Sequence, residues 1–245
     1  MRQTRPHDGD QFGIALNLIP AWPEDPRTES KRAAAGTDAI HNRLFAAAVL
    51  DGMYPNMVLE YMEKFEVAGR IDPTELAAGL EPIDFLGVNY YNINHIAHNP
   101  GAPLIGQWPG PEDAEMVTPP GDLTEMGWGV EPVGLTWMLN RVSQWAPDVP
   151  IYILENGAAY VDEPDVDGSV HDPLRQEYIE RHIAAMKDAM ADGVDVRGYF
   201  VWSLLDNFEW ALGYDKRFGL VRVDPHTLER TIKDSGRWYQ EFLAT

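Results

Sequence analysis

Residues 151–160, IYILENGAAY, place a carboxylate, Glu155, directly after four residues of near-continuous apolar character. Such a run is what a strand covered on both faces requires. The Asn156-Gly157 pair that follows signals a turn. An ionised carboxylate at the mouth of a buried strand costs free energy unless it is paired, hydrogen-bonded or open to a wet cleft. Glu155 is therefore either a solvated loop residue or a working one. A second concentration of chemistry lies at residues 200–224, FVWSLLDNFEWALGYDKRFGLVRVD, where Trp202, Phe208 and Trp210 crowd a strand end with Asp206 and Glu209. Aromatics dominate core packing. A sugar, however, needs this same mixture, a flat apolar surface for its C–H face and acceptors beside it for pairs of hydroxyls. With Glu155 ending the preceding strand, the two segments together point to a saccharide site at the C-terminal ends of parallel strands.

The elements that must hold these residues follow from pattern. Four segments have the composition of buried strands: GIALNLI at 13–19, DFLGVNYY at 84–91, IYILE at 151–155 and RGYFVWSLL at 197–205. Each is followed by a loop and then by helical pattern, and that alternation means an α/β fold with a parallel sheet. Residues 28–50 are helix-rich, and a further helix over 132–145 ends before Pro147. Residues 173–192 give the clearest helix, with Asp172 as its cap, Pro173 in the first turn and Ile179, Ile183, Met186 and Met190 as its apolar stripe. Gly193 stops it. A last helix is expected at 234–243. Residues 99–127, rich in Pro and Gly, form a long excursion of the kind that builds active sites in barrels. No internal repeat or low-complexity linker interrupts the chain, so 1–245 is expected to be one domain, with 1–12 poorly ordered. A complete eight-stranded barrel takes about 250 residues; four strands do not fill that frame.

Composition narrows the partners. Thirty-nine acidic against nineteen basic residues give a formal charge of −20, which repels phosphate backbones and anionic membrane surfaces. Nucleic acid and membrane are thus not expected. The absence of cysteine excludes disulfides, thiolate metal sites and cysteine nucleophiles. The N-terminal MRQTRPHDGDQ lacks an apolar segment behind its arginines, and no run of eighteen apolar residues occurs, so a cytoplasmic chain is expected. His95 and His98 lie three apart in a stretch read as loop, without a third ligand, and no metal or other cofactor is expected. His41-Asn42-Arg43 sits in helical pattern as a packing or surface feature. The acidic VDEPDVDGSVHD at 161–172 lacks the spacing of a calcium loop and is expected to be solvated.

Five motifs, FLGVNYY, TEMGWGVEPVGL, ENG after a buried strand, VWSLLDNFEWALGYDKRFGLVRVD and TLERTIKDSGRWY, resemble the second half of glycoside hydrolase family 1, the β-glucosidase family. The resemblance runs from about residue 13 to 239. It implies the C-terminal half of a (β/α)8 barrel, about four βα units, with the N-terminal half absent from this chain. It also implies that Glu155 is the catalytic nucleophile, with Tyr91 hydrogen-bonding it and Asn89 facing the reacting sugar. Glu209 and Trp210 would hold the distal hydroxyls, Trp202 would lie under the ring, Phe218 would line the pocket and Trp128 would stack on the leaving group. Retaining glycosidases need a second carboxylate about 5–5.5 Å from the nucleophile as general acid and base. In the family this is the Glu of an Asn-Glu-Pro motif, which does not occur here; Glu81, Glu131 and Glu163 precede prolines but in linker or loop contexts. Gly129 and Val133 stand where the family often has glutamates. Two functions remain: a β-glucosidase-like retaining hydrolase acting on a small-molecule β-glycoside or oligosaccharide, and an inert half-barrel serving as a sugar-binding or assembly module. The apolar outer strands at 13–19 and 197–205 require cover, from a second copy closing eight strands about a two-fold axis or from an N-terminal half on another chain.

Overall fold

The computed structural model describes residues 9–64, 69, 72–80, 82–101, 111 and 113–245. It begins with β1 (Gly13–Asn17), β2 (Ala21–Pro23), α1 (Thr28–Asp38), a π-helical turn (Ala39–Arg43) and α2 (Leu44–Leu50). Helices α3 (Asn56–Lys64) and α4 (Pro73–Ala78) precede β3 (Phe85–Asn89), β4 (Asn94–His98), β5 (Ala114–Val117) and α5 (Pro132–Trp145). Then come β6 (Ile151–Asn156), α6 (Pro173–Ala191), β7 (Val196–Val201), a 3₁₀ turn (Trp210–Leu212), β8 (Val221–Val223), β9 (Arg230–Ile232) and α7 (Asp234–Leu243). No helix among the described residues is long and apolar enough to cross a membrane. The expectation of poor order over 1–12 falls, for residues 1–8, outside the described residues, as does Glu81.

The four apolar runs form one parallel sheet in the order β1-β3-β6-β7. Near the C-terminal strand ends its register slips at two places, between Val88 and Asn89 against β6 and between Ile153 and Asn156 against β7. Irregularities of this kind re-aim side chains, and here they fall beside Asn89 and Glu155. One face of the sheet carries the core, where Leu86, Val88, Ile151 and Ile153 meet Leu135, Met138, Leu139 and Val142 of α5 and Ala185 and Ala189 of α6. The opposite face is less covered than the apolar runs led us to expect, with Ala15 and Asn17 exposed and Tyr152 and Leu154 half-buried. A barrel interior is filled by three layers of four side chains drawn from eight strands, and four strands supply too few. Apolar side chains also stand exposed on the outer strands, Ile14 on β1 and Phe200 on β7.

A smaller sheet, β2-β4-β5, is backed by α1, where Ala33 and Ala34 pack on Ile96 and Ala114. His95 and His98 thus lie on strand β4 and not in a loop, each beside a carboxylate: His95 Nε2 is 2.8 Å from Glu131 and His98 Nδ1 3.0 Å from Asp113. Buried Asn42 binds both backbone groups of Ile19, tying the π-helical turn to the chain beyond β1.

Helix α6 spans nearly the expected residues and stops at Gly193, whose φ of +101° suits glycine. Two details differ. Met190 is 44% exposed, because the packed face turns onto the small residues Ala185 and Ala189. Asp172 caps no backbone N–H of its own helix; its carboxylate accepts from the Ser235 backbone N–H at 2.8 Å and from the Arg175 guanidinium.

His182 of α6 is completely buried, stacked on Tyr178 with ring centroids 3.9 Å apart. Its Nδ1–H donates to the Tyr178 carbonyl at 2.7 Å and its Nε2 has no partner. Burial pulls its pKa down to about 3. Between pH 6.5 and 3 the unfolded chain therefore binds a proton at this residue that the folded chain refuses, so stability falls as pH falls through that window. The loss is about 3 kcal/mol by pH 4. His182→Phe is expected to flatten that part of the urea-midpoint profile relative to the unmodified chain, and an unchanged slope would contradict the assignment.

Candidate active site

All eight residues singled out from the sequence, Asn89, Tyr91, Trp128, Glu155, Trp202, Glu209, Trp210 and Phe218, line one cleft of about 940 Å³ at the C-terminal ends of the parallel strands. At its floor the Tyr91 hydroxyl donates to Glu155 Oε2 at 2.6 Å. Burial raises the Tyr91 pKa far above the phenol range, and the bond to Glu155 adds to that rise. The tyrosine therefore stays protonated and donates to Glu155. Asn89 pairs with Glu155 in the β3–β6 register, and its Oδ1 is buried without a protein partner, an acceptor left for a ligand hydroxyl.

Neighbouring elements fix this geometry. Asn156 continues β6, so the turn comes one residue later than the Asn-Gly signal suggested. Its amide donates to the Tyr90 carbonyl at 2.8 Å and to the Tyr178 hydroxyl at 3.2 Å, while its Oδ1 accepts from Tyr199 at 2.6 Å. One buried side chain thus pins the end of β6 to both neighbouring strands and to α6. Tyr178 in turn donates to the Tyr91 carbonyl at 2.9 Å. At Gly157 a Cβ would lie 1.9 Å from the Trp202 carbonyl oxygen, so the two strand ends meet only through glycine. Gly157→Ala is expected to cost about 1–3 kcal/mol by overpacking against backbone that cannot yield. Urea unfolding measures this; a change below about 0.5 kcal/mol, the usual range for surface substitutions, would contradict it.

Aromatic side chains build the walls. Tyr91, Trp128 and Phe218 form a triangle with centroid separations of 5.3, 6.2 and 6.2 Å, with Phe218 fully buried. Trp128 is held by a compact turn in which Thr124 Oγ1 accepts from the Trp128 and Met126 N–H groups. Glu209 stands in the cleft with its pKa raised, first by burial and then by the charge of Glu155. Trp210 is 82% exposed at the rim and adopts φ +45°, a strained conformation for a bulky residue.

Some expectations within the same motif fail. Asp206 does not line this cleft; its carboxylate is buried against Lys233 and the Gly219 N–H. Phe208 is also absent from the cleft lining and packs edge-on against Tyr214 on the surface. The acidic segment 161–172 is solvated only in part, because Asp162 and Asp172 are fully buried as partners of Arg175. Conversely, His95, Asn94 and residues 116–119 line the cleft, although the sequence analysis did not select them as site residues. Glu131, Glu-Pro context and all, does not line it; its carboxylate holds His95, and the missing Cβ of Gly129 leaves it room, since one there would lie 2.7 Å from Glu131 Oε2.

The family model described as glycosyl hydrolase family 1 matches residues 2–245. The chain is 39% identical over 234 residues to the 1,4-beta-D-glucan glucohydrolase of Thermotoga neapolitana, covering 95% of this chain and 50% of that protein. It is 40% identical over 216 residues to the bifunctional beta-D-glucosidase/beta-D-fucosidase of Bifidobacterium breve, covering 84% and 47%. Among solved structures, the psychrophilic beta-glucosidase BglU from Micrococcus antarcticus superimposes with a TM-score of 0.89 at 42% identity, covering 99% of this chain and 55% of that one. The family 1 beta-glucosidase from Thermotoga maritima gives 0.84 at 38%, covering 95% and 50%. The chain thus spans about half the length of these relatives, and its four βα units correspond to the C-terminal half of a (β/α)8 barrel. The ordered motifs, the parallel sheet and the family match agree: this chain belongs to glycosyl hydrolase family 1.

Proposed function

We propose that the 245 residues form one domain carrying the nucleophile and sugar contacts of a β-glucosidase-type retaining hydrolase. The observation that carries this reading is the 2.6 Å bond from Tyr91 to Glu155 at the floor of an aromatic-walled cleft. Glu155 attacks the anomeric carbon of a β-glycoside and forms a glycosyl ester, which water then cleaves. Tyr91 holds the carboxylate in orientation. Trp202 lies under the ring, Asn89 receives a hydroxyl near the reacting centre, Glu209 and Trp210 hold the distal hydroxyls, Phe218 closes the wall and Trp128 stacks on the leaving group.

The sequence has no Asn-Glu-Pro motif to protonate a departing alcohol. A leaving group stable as an anion does not need that proton, so 2,4-dinitrophenyl β-glucoside and cellobiose separate the cases. The chain alone is expected to release dinitrophenolate and to leave cellobiose intact. Hydrolysis of both would show that an acid is present in the chain. Release of neither favours the second reading, an inert half-barrel that binds sugar or serves assembly. The exposed Ile14 and Phe200 on the outer strands support a covering partner in either case, either a second copy of the chain or a complementary half-barrel. A solution mass of twice 27.6 kDa supports the former.

A further inference from the structure

Behind the cleft lies a buried ion cluster that the chemistry above does not use. Lys233, at the entrance to α7, has a completely buried side chain, and its ammonium donates to Asp162 Oδ2 at 2.5 Å and to Asp206 Oδ1 at 2.9 Å. The two carboxylates belong to two different loops, neither lining the cleft itself. Asp162 follows Glu155 on the loop leaving β6, and Asp206 precedes Glu209 on the loop leaving β7. Asp206 also closes the neck of the β7 loop, accepting from the Gly219 N–H at 2.8 Å and from the Val223 N–H at 3.3 Å. Residues 207–218, with Glu209, Trp210 and Phe218 among them, therefore project from a neck closed by the Asp206 carboxylate together with backbone bonds such as Ser203 N–H to the Phe218 carbonyl and Asp206 N–H to the Val221 carbonyl.

We propose that Lys233 is a positioning residue that sets the placement of Glu209 relative to Glu155 by clamping the two loops together at Asp162 and Asp206. The proposal deepens the sugar-site reading, on which the roles of Glu155 and Glu209 rest. A compact ammonium suits the task, since one nitrogen reaches two acceptors on different segments. Arg175 does not duplicate the clamp. It holds Asp162 and Asp172, and its Nη2 reaches the β7 loop at the Arg217 carbonyl, 2.7 Å away, without bonding the Asp206 carboxylate. Without the lysine, Asp162 and Asp206 present two carboxylates to each other across the gap, and repulsion drives the two loops apart. Proximity of the two active-site carboxylates is already visible in Glu209, whose proton affinity is raised in part by Glu155. A misplacement of about 1 Å is enough to cost on the order of 100-fold in activity.

The test compares the full chain with Lys233→Met by two readouts, the ¹³C carboxyl titration of Glu209 and calorimetric affinity for deoxynojirimycin, both at a temperature where circular dichroism shows each protein folded. Loss of the clamp is expected to lower the Glu209 midpoint toward the ordinary carboxylate range and to weaken the probe about tenfold or more, as misplaced contacts do. Lys233→Arg, which keeps charge and donors, is expected to restore part of both. A lower melting temperature with unchanged midpoint and affinity would overturn the proposal and leave Lys233 as packing only. A chain that does not bind the probe, yet shows the midpoint shift, sustains the clamp and removes the sugar-site reading instead. Should Lys233→Met fail to fold, Asp206→Asn is measured by the same criteria; it keeps an acceptor for the Gly219 N–H but discards the charge facing Lys233.

Discussion

Glu155→Gln is expected to lower release of dinitrophenolate from an activated β-glucoside on the order of 10⁴-fold or more, the scale seen when a residue of a covalent catalytic unit is removed. The amide is nearly isosteric, so the fold, the aromatic walls and the Asn156 network are left in place. What it lacks is a nucleophilic oxygen able to form the glycosyl ester. Tyr91 retains an acceptor in the amide oxygen, so its hydroxyl, 2.6 Å from the carboxylate in the unmodified chain, need not be orphaned. Affinity for deoxynojirimycin measured alongside turnover separates chemistry from binding. Turnover within tenfold of the unmodified chain would remove Glu155 from the mechanism.

The largest effect on stability is expected at Arg175, whose side chain has no exposed surface. Its guanidinium makes a two-pronged contact with Asp162 at 2.7 and 3.0 Å, donates to Asp172, and reaches the Ala158 and Arg217 carbonyls. Burial acts to lower its pKa, but the hydrogen bonds and charge of Asp162 override this and hold it above its ordinary value. Arg175→Met leaves Asp162 and Asp172 buried with one cation, Lys233, where there were two. Removing one partner from a buried ion pair costs about 3–5 kcal/mol. For a domain of this size that is a fall of roughly 10 °C in melting temperature. Arg175→Lys is expected to recover little, because an ammonium cannot make the planar two-pronged contact. Urea unfolding within 1 kcal/mol of the unmodified chain would show that the cluster contributes little.

The parallel sheet and its helices were legible because apolar runs and helical periodicity are local, and residues 151–155 and 173–192 state their elements within a few turns of chain. The cleft residues were legible through ordered motifs, not through spacing: Tyr91 and Glu155 are 64 positions apart, and nothing local announces their bond. The buried cluster was not legible for the same reason. Asp162 sits in an acidic run that reads as solvated, its lysine comes 71 positions later, and only the folded loops bring them together. Asp206 misled in the opposite way, since two carboxylates three residues apart suggested one shared task while the chain turned one inward and the other into the cleft. Met190 and the uncovered sheet face show the limit of periodicity, which names the apolar positions but not how much of each face neighbouring elements cover.

The central claim is that Glu155 forms a covalent bond to the sugar. Incubating the chain with 2,4-dinitrophenyl 2-deoxy-2-fluoro-β-glucoside tests it most directly, because the fluorine slows hydrolysis of the ester and the leaving group needs no acid. Intact-protein mass spectrometry is expected to show one fluorosugar per chain, and peptide mapping to place it on Glu155. An unmodified mass after prolonged incubation at saturating probe, or an adduct on any other residue, would contradict the account.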